Sequence, residues 1–101
     1  MNDDWPFEDP ENTAVFTTRQ VLEGAPIVRV SHDEDDGAWQ FHTEAPPRET
    51  DARLIALSEA VELDPSLLEL AGLPVGWVAT RAAPGAPWMW HPTRTETDSH
   101  D

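Results

Sequence analysis

The chain has 101 residues, a length that fits one domain, and it combines 20 acidic residues with six Arg and no Lys. Its formal charge of −14 disfavours nucleic-acid backbones and anionic membranes as partners, because both would repel it. The absence of Cys excludes disulfides and thiolate metal sites.

The two ends of the chain are poor in residues that could build a core. Residues 1–12 are rich in Asp, Glu and Pro, and residues 92–101 are polar after Pro92. We therefore predict a disordered acidic tail over 1–12, a single domain over 13–91 and a second disordered tail over 92–101. No segment approaches the ~18 apolar residues of a membrane span, and the start lacks a signal peptide, so we expect a cytoplasmic protein.

The first half of the domain reads as three strands and a short helix. Ala14 to Thr18 has the β-branched and aromatic residues of a strand, and residues 19–23 have one helical turn, capped by Thr17 or Thr18 and stopped by Gly24. Residues 27–32 and 38–43 are predicted to form a hairpin. Burying Val28 and Val30 with Trp39 and Phe41 requires Val30 opposite Trp39, or a register two residues over. Gly37 in the loop is free to take a positive φ.

The second half is predicted to contain two helices and one or two strands. Leu54, Leu57 and Val61 follow a helical spacing, which indicates a helix over 51–62. Asp64 as N-cap and Pro65 at the first helical position predict a short helix that ends at Gly72. Val75 to Arg81 reads as a strand, and residues 88–90 could pair with it briefly. The fold class is therefore α+β, a small single-domain antiparallel sheet with two short helices packed on one face.

No constellation of residues indicates catalysis or a cofactor. His32 and His42 lie on opposite faces of the hairpin, on the order of 13 Å apart at ~3.3 Å per residue, so they cannot ligate one ion. Strands flank the acidic turn at 33–37, where a calcium loop needs helices and a terminal Glu. There is no nucleophile beside a base and no glycine-rich phosphate loop. We expect no enzyme activity, no cofactor and no metal.

Acidic and aromatic residues form the candidate binding site. The acidic turn opens directly onto the strand that carries Trp39 and Phe41, and a Pro-rich turn precedes two further Trp residues. Exposed Trp beside charged loops is typical of protein-binding hot spots, although the same Trp residues could instead cap a small core. The candidate partner-binding residues are Asp33, Glu34, Asp35, Asp36, Trp88 and Trp90.

Several of these motifs together resemble a known family. Val15-Phe16-Thr17-Thr18, the strand from Ile27 to Val30 and the run Asp36 to Phe41 are similar to the opening half of the immunity protein 33-like family, formerly a domain of unknown function. Asp64-Pro65 and the turn Pro74-Val75-Gly76 resemble its closing half. The family usually has Gly directly before the Trp, where this chain has Ala38. The resemblance covers about residues 14–81 and implies a bacterial protein that neutralises a toxin by direct binding.

Three functions are compatible with the sequence. The first is an immunity-like, protein-binding module that binds a basic partner, such as a toxin, through the loop Asp33–Asp36 and an adjacent aromatic residue, with exposed charge steering the encounter. The second is a non-catalytic structural or accessory domain, whose charge serves solubility or reflects a GC-rich genome. The third is an acidic nucleic-acid mimic, in which rows of carboxylates imitate phosphates. The oligomeric state and the partner's identity are left open.

Overall fold

In the computed structural model, which describes residues 5–46 and 48–93, six strands form one sheet in the order β4-β1-β3-β2-β5-β6. The strands are β1 (Ala14–Thr18), β2 (Arg29–His32), β3 (Trp39–His42), β4 (Ala52–Ala56), β5 (Trp77–Thr80) and β6 (Met89–Pro92). The helices are α1 (Arg19–Leu22), α2 (Leu57–Leu63) and the 3₁₀ helices Glu49–Asp51 and Pro65–Leu70. A small α+β domain, as the sequence predicts, is therefore confirmed.

The sheet is mixed and not wholly antiparallel. β1 runs parallel to β3, with Phe16 beside Gln40, whereas its other neighbour β4 runs antiparallel to it. The β2–β3, β2–β5 and β5–β6 pairs are antiparallel. The sequence predicts an antiparallel sheet. In the structure β1 is a neighbour of β3, the second strand of the hairpin, and not of β2, and this makes the pair parallel.

The β2–β3 hairpin has the second of the two predicted registers. Val30 lies opposite Phe41, and His32 lies opposite Trp39. This register still places Val30, Trp39 and Phe41 on one face, where each of their side chains is almost fully buried. Gly37 has a φ of 73°, as the sequence predicts for the loop.

The predicted helix over 51–62 is wrong in its first half. Residues Ala52–Ala56 form β4 at the edge of the sheet, and α2 begins only at Leu57. Leu54, which the helical spacing placed in the core, pairs with Phe16 and is 62% exposed. Long-range pairing with β1 overrides the local helical pattern here.

One face of the sheet, which we call the covered face, carries the core. Val15, Val30, Phe41 and Ala79 on this face are buried together with residues of both α-helices and of the 3₁₀ helix Pro65–Leu70. The predicted cap of that 3₁₀ helix is present, because the Asp64 side chain accepts a hydrogen bond from the Ser66 backbone N–H. The opposite face, which carries Phe16, Gln40 and Leu54, has no helix packed on it among the described residues, and we call it the open face. None of the helices in residues 5–46 and 48–93 is long and apolar enough to cross a membrane.

Residues near the N-terminus contact the core, although their composition predicted a disordered tail. Phe7 is 6% exposed and lies edge-on to Trp39 at 5.4 Å between ring centroids. The Trp39 indole N–H donates to Asp9 Oδ2 over 2.8 Å, and the Trp5 indole N–H donates to Asp9 O over 2.7 Å. The remaining predicted tail residues, 1–4 and 94–101, lie outside the described residues.

Candidate functional site

The acidic loop between β2 and β3 is closed by its own backbone. The Asp33 N–H donates to Ala38 O over 2.7 Å, and the Gly37 N–H donates to Asp33 O over 2.9 Å. The Asp36 carboxylate accepts from the Ala38 N–H over 3.0 Å. Gly37 supplies the positive φ that this turn requires, which L-residues adopt only with strain. The loop therefore has a defined shape even though its side chains repel one another.

All four acidic residues of the loop line one groove. The groove has a volume of about 390 Å³, and Gly76 and Thr93 form its other wall. That wall is fixed by two backbone hydrogen bonds, from Gly76 N–H to His32 O over 2.6 Å and from Thr93 N–H to Gly76 O over 2.8 Å. The turn before β5 and the end of β6 thus place the groove beside the hairpin loop. We call it the acidic groove.

The four carboxylates of the acidic groove are not equivalent. Asp33 is half-buried and accepts hydrogen bonds from Gln40 Nε2 over 2.6 Å and from Ser31 Oγ over 3.4 Å. Glu34, Asp35 and Asp36 are exposed. Glu34 lies over Gly76, where an added Cβ would be 3.6 Å from its carboxylate oxygen. Asp33 therefore stabilises the hairpin with its side chain, while the other three carboxylates belong to exposed residues.

The two candidate Trp residues lie in different surroundings, and neither lines the acidic groove. Trp88 is half-buried, packs against the core and has the Arg81 guanidinium 4.3 Å above its ring. Trp90 is 41% exposed and lies opposite Ala79, at the edge of the sheet. It is three residues before Thr93, a separation of about 10 Å along a strand. Of the two, Trp90 is the more exposed, and it lies on the strand that leads to the acidic groove.

The open face of the sheet carries a hydrogen-bonded chain that the sequence reasoning missed. His42 Nε2 lies 3.0 Å from Gln40 Oε1, and Gln40 Nε2 donates to Asp33. Because the Asp33 carboxylate can only accept, Gln40 must direct its oxygen toward His42, so His42 carries its proton on Nε2. His42 Nδ1 is then a bare acceptor. It is buried and has no hydrogen-bond partner among the described residues.

Burial lowers the pKa of His42, and the neighbouring Arg29 lowers it further, although Asp33 opposes the shift. His42 is 8% exposed and lies directly opposite Arg29 in the β2–β3 ladder. A neutral imidazole is therefore the stable form in the folded protein. The signal that could have revealed this site is the alternation of polar residues at 29, 31, 40 and 42, on the face opposite Val30 and Phe41.

His32 serves the core and not a site for a ligand. Its ring stacks on Trp39 at 3.9 Å between centroids, and its Nδ1 lies 2.7 Å from Leu73 O. It lies on the opposite face from His42, as the sequence predicts. Within the described part of the chain, no group of three or more His, Asp or Glu is arranged to hold a metal ion.

No family model, curated protein or solved structure matches this chain. The resemblance to the immunity protein 33-like family therefore stays a hypothesis, and the function is argued from the geometry alone.

Proposed function

We propose that this protein is a binding module for a basic protein partner, and that it acts as an immunity-like protein in a bacterial cytoplasm. The acidic groove receives cationic side chains of the partner, a toxin in the immunity-like case. Trp90 supplies an aromatic anchor beside it. The protein performs no catalysis in this proposal, and it needs no cofactor.

The observation that carries the proposal is the concentration of charge in one shaped groove. Four consecutive carboxylates line it, and backbone hydrogen bonds fix both of its walls. Holding like charges together costs stability through their mutual repulsion, and a cationic partner would relieve that repulsion. A charge that served solubility alone would gain nothing from being gathered in a groove.

The position of Trp90 supports a protein partner over a purely electrostatic role. A large aromatic side chain that is 41% exposed, on the strand that leads to Thr93 of the acidic groove, is compatible with a hot spot that has a polar rim. The alternatives of an accessory domain and an acidic nucleic-acid mimic assign no role to this exposed side chain. Trp88, which packs against the core, is left out of the proposed interface.

The test begins with capture of the partner on the immobilised full chain, followed by stopped-flow measurement of association. We expect the triple variant Glu34→Gln, Asp35→Asn, Asp36→Asn to associate about tenfold or more slowly at low salt, because exposed charges act mainly on the encounter rate. Its salt dependence should also be flatter. Asp33 is left intact because its bonds to Gln40 and Ser31 stabilise the hairpin.

A matched control carries the same change of charge elsewhere. Glu49→Gln, Glu62→Gln, Glu69→Gln also neutralises three exposed carboxylates, none of which lines the acidic groove. If the two triple variants associate at the same rate, the association rate depends only on the net charge of the protein, and the acidic groove is not the binding site. Trp90→Ala should instead speed dissociation, by about 2 kcal/mol of binding free energy for a hot spot.

A further inference from the structure

A second groove, on the open face of the sheet, has opposite charges at its two ends. It has a volume of about 490 Å³, within the range of ~300–1,000 Å³ that is typical of ligand pockets. Arg29 lies at one end and Asp33 at the other, with Ser31 and Gln40 between them and Glu44 on the wall. We call it the sheet groove. Asp33 and Thr93 line both grooves, so the two grooves adjoin at these residues.

Arg29 has capacity for an anion. Its side chain is exposed, and within residues 5–46 and 48–93 it makes no ion pair, whereas Arg19 and Arg81 are both paired with carboxylates. Among the described residues, Arg48 and Arg53 also make no ion pair, but neither of them lines the sheet groove. A planar guanidinium binds a carboxylate through two parallel hydrogen bonds.

His42 has capacity for a donor at the same end of the groove. Its Nδ1 is a buried acceptor with no hydrogen-bond partner among residues 5–46 and 48–93, a state that costs stability. Arg29 and His42 are direct cross-strand partners, with Cα atoms about 4.5–5.5 Å apart in such a ladder. A ligand that satisfies both must carry a carboxylate and an N–H close together. Nδ1 is buried, so the groups that cover it must move before a ligand N–H can reach it.

We propose that the sheet groove binds an α-carboxylate together with the N–H on the same carbon, which is the chemistry of a peptide C-terminus or of a free N-acyl amino acid. The carboxylate pairs with the Arg29 guanidinium. The N–H of the same residue donates to His42 Nδ1. A carboxylate on an Asp or Glu side chain lacks this fixed N–H neighbour and fits less well.

The length of the groove favours a peptide over the smaller ligand. From Arg29 to Asp33 the chain advances four residues, about 13 Å, which is the span of four residues of an extended peptide. A four-residue peptide with its C-terminus at Arg29 would place its first two residues near Asp33 and the acidic groove. Basic residues at those positions would meet carboxylates. The ligand that fits best is thus a peptide with a free C-terminus and with Lys or Arg a few residues before it.

Synthetic peptides test this site on the full chain without any natural partner. The probe is acetyl-Lys-Lys-Gly-Gly with a free carboxylate, compared by calorimetry and NMR titration with the same peptide as its carboxamide. We expect the free acid to bind about tenfold more tightly, since it alone makes the charge-assisted pair with Arg29. In protein with ¹⁵N-labelled imidazoles, the Nδ1 resonance of His42 should move on addition of the free acid.

Variants and further probes separate the groups involved. Arg29→Gln should abolish the difference between acid and carboxamide, whereas Arg53→Gln should keep it, because Arg53 is equally exposed but lies on β4. Acetyl-Lys-Lys-Gly-Glu carboxamide offers a side-chain carboxylate alone, and it should bind like the plain carboxamide. Acetylglycine tests whether a free N-acyl amino acid is the ligand. If it binds as tightly as the free-acid tetrapeptide, the ligand is a free N-acyl amino acid.

Three results would overturn the proposal. The first is equal affinity for the free acid and the carboxamide. The second is equal affinity for the free acid and the side-chain carboxylate. The third is an unmoved Nδ1 resonance of His42 at saturating free acid. The experiment needs no basic protein partner, so its failure leaves the proposed role of the acidic groove intact.

Discussion

Each face of the sheet buries a nitrogen-rich side chain, but the two side chains differ in how many of their nitrogens have hydrogen-bond partners. On the covered face, the Arg81 side chain is 2% exposed and donates to Ile27 O over 3.1 and 2.8 Å, to Ser66 Oγ over 3.0 Å and to Asp64 over 2.5 Å. On the open face, His42 is 8% exposed, and its Nδ1 has no hydrogen-bond partner in the part of the chain that the structure describes.

This difference separates a structural role from a functional one. A buried polar group whose hydrogen bonds are all made holds its neighbours together and has no capacity left for a ligand. A buried group with an unmade bond costs stability, and it is the kind of exception that a bound molecule would explain. Arg81 belongs to the first kind, and His42 belongs to the second.

The largest expected effect comes from the covered face. Arg81→Met should destabilise the protein by about 3–5 kcal/mol, because it leaves the Asp64 carboxylate without its cation and Ile27 O without its donor. Urea unfolding measures the change. Arg53→Met, at an exposed position on β4, should change stability by only about 0.5 kcal/mol. Equal costs at the two positions would show that the Arg81 cluster is not structural.

A second variant tests how far the covered core extends along the chain. Phe7→Ala should cost about 3 kcal/mol in urea unfolding, because Phe7 is 6% exposed and contacts Trp39. The matched control is Phe16→Ala on the open face, where the ring is 41% exposed and the cost should be smaller. A Phe7→Ala variant as stable as the wild type would show that residues 5–9 contribute nothing to the core.

The smallest effect, on the open face, depends on pH. Burial lowers the pKa of His42, so the unfolded chain takes up a proton near pH 6.5 while the folded protein stays neutral at this position. The unfolded state then binds more protons, and His42 lowers stability as the pH falls from 6.5 toward its depressed value. Above pH 6.5 this contribution disappears.

Urea unfolding at pH 7.5 and 5.5 measures this contribution by difference. His42→Gln should remove part of the loss of stability on acidification, by at most ~1.4 kcal/mol per pH unit, the limit for one proton. His91→Gln, which changes an exposed His on β6, is the control for the loss of one imidazole. If wild type and His42→Gln lose stability equally between the two pH values, His42 is not held neutral by the fold.

Local patterns in the sequence predicted most strands but not their long-range partners. The alternation around Val30 and Phe41 was enough to place the hairpin and its buried face. The spacing of Leu54, Leu57 and Val61 predicted one helix over the whole segment, but only the part from Leu57 onward forms a helix. β4 forms by pairing with β1, and no pattern within 52–56 indicates this.

The candidate site was predictable only in its charges. The run from Asp33 to Asp36 is visible in the sequence, and the structure gathers it in one groove. Composition does not encode the tertiary contacts that distinguish these residues. Asp33 accepts a hydrogen bond from Gln40, and Trp88 packs against the core while Trp90 is exposed. The unpaired nitrogen of His42 follows from a chain of three side chains and could not be read from any one of them.

The parallel pairing of β1 with β3 also sets the order in which this chain can fold. The β2–β3 hairpin closes over a short loop and can form within microseconds. β1 lies between β3 and β4 in the sheet, so both of its partners come later in the sequence, and the Thr17 hydroxyl donates to Phe41 O across 24 residues. Such non-local contacts slow folding, because the chain loses entropy before they form. The N-terminal strand therefore joins a sheet that the later residues have already begun.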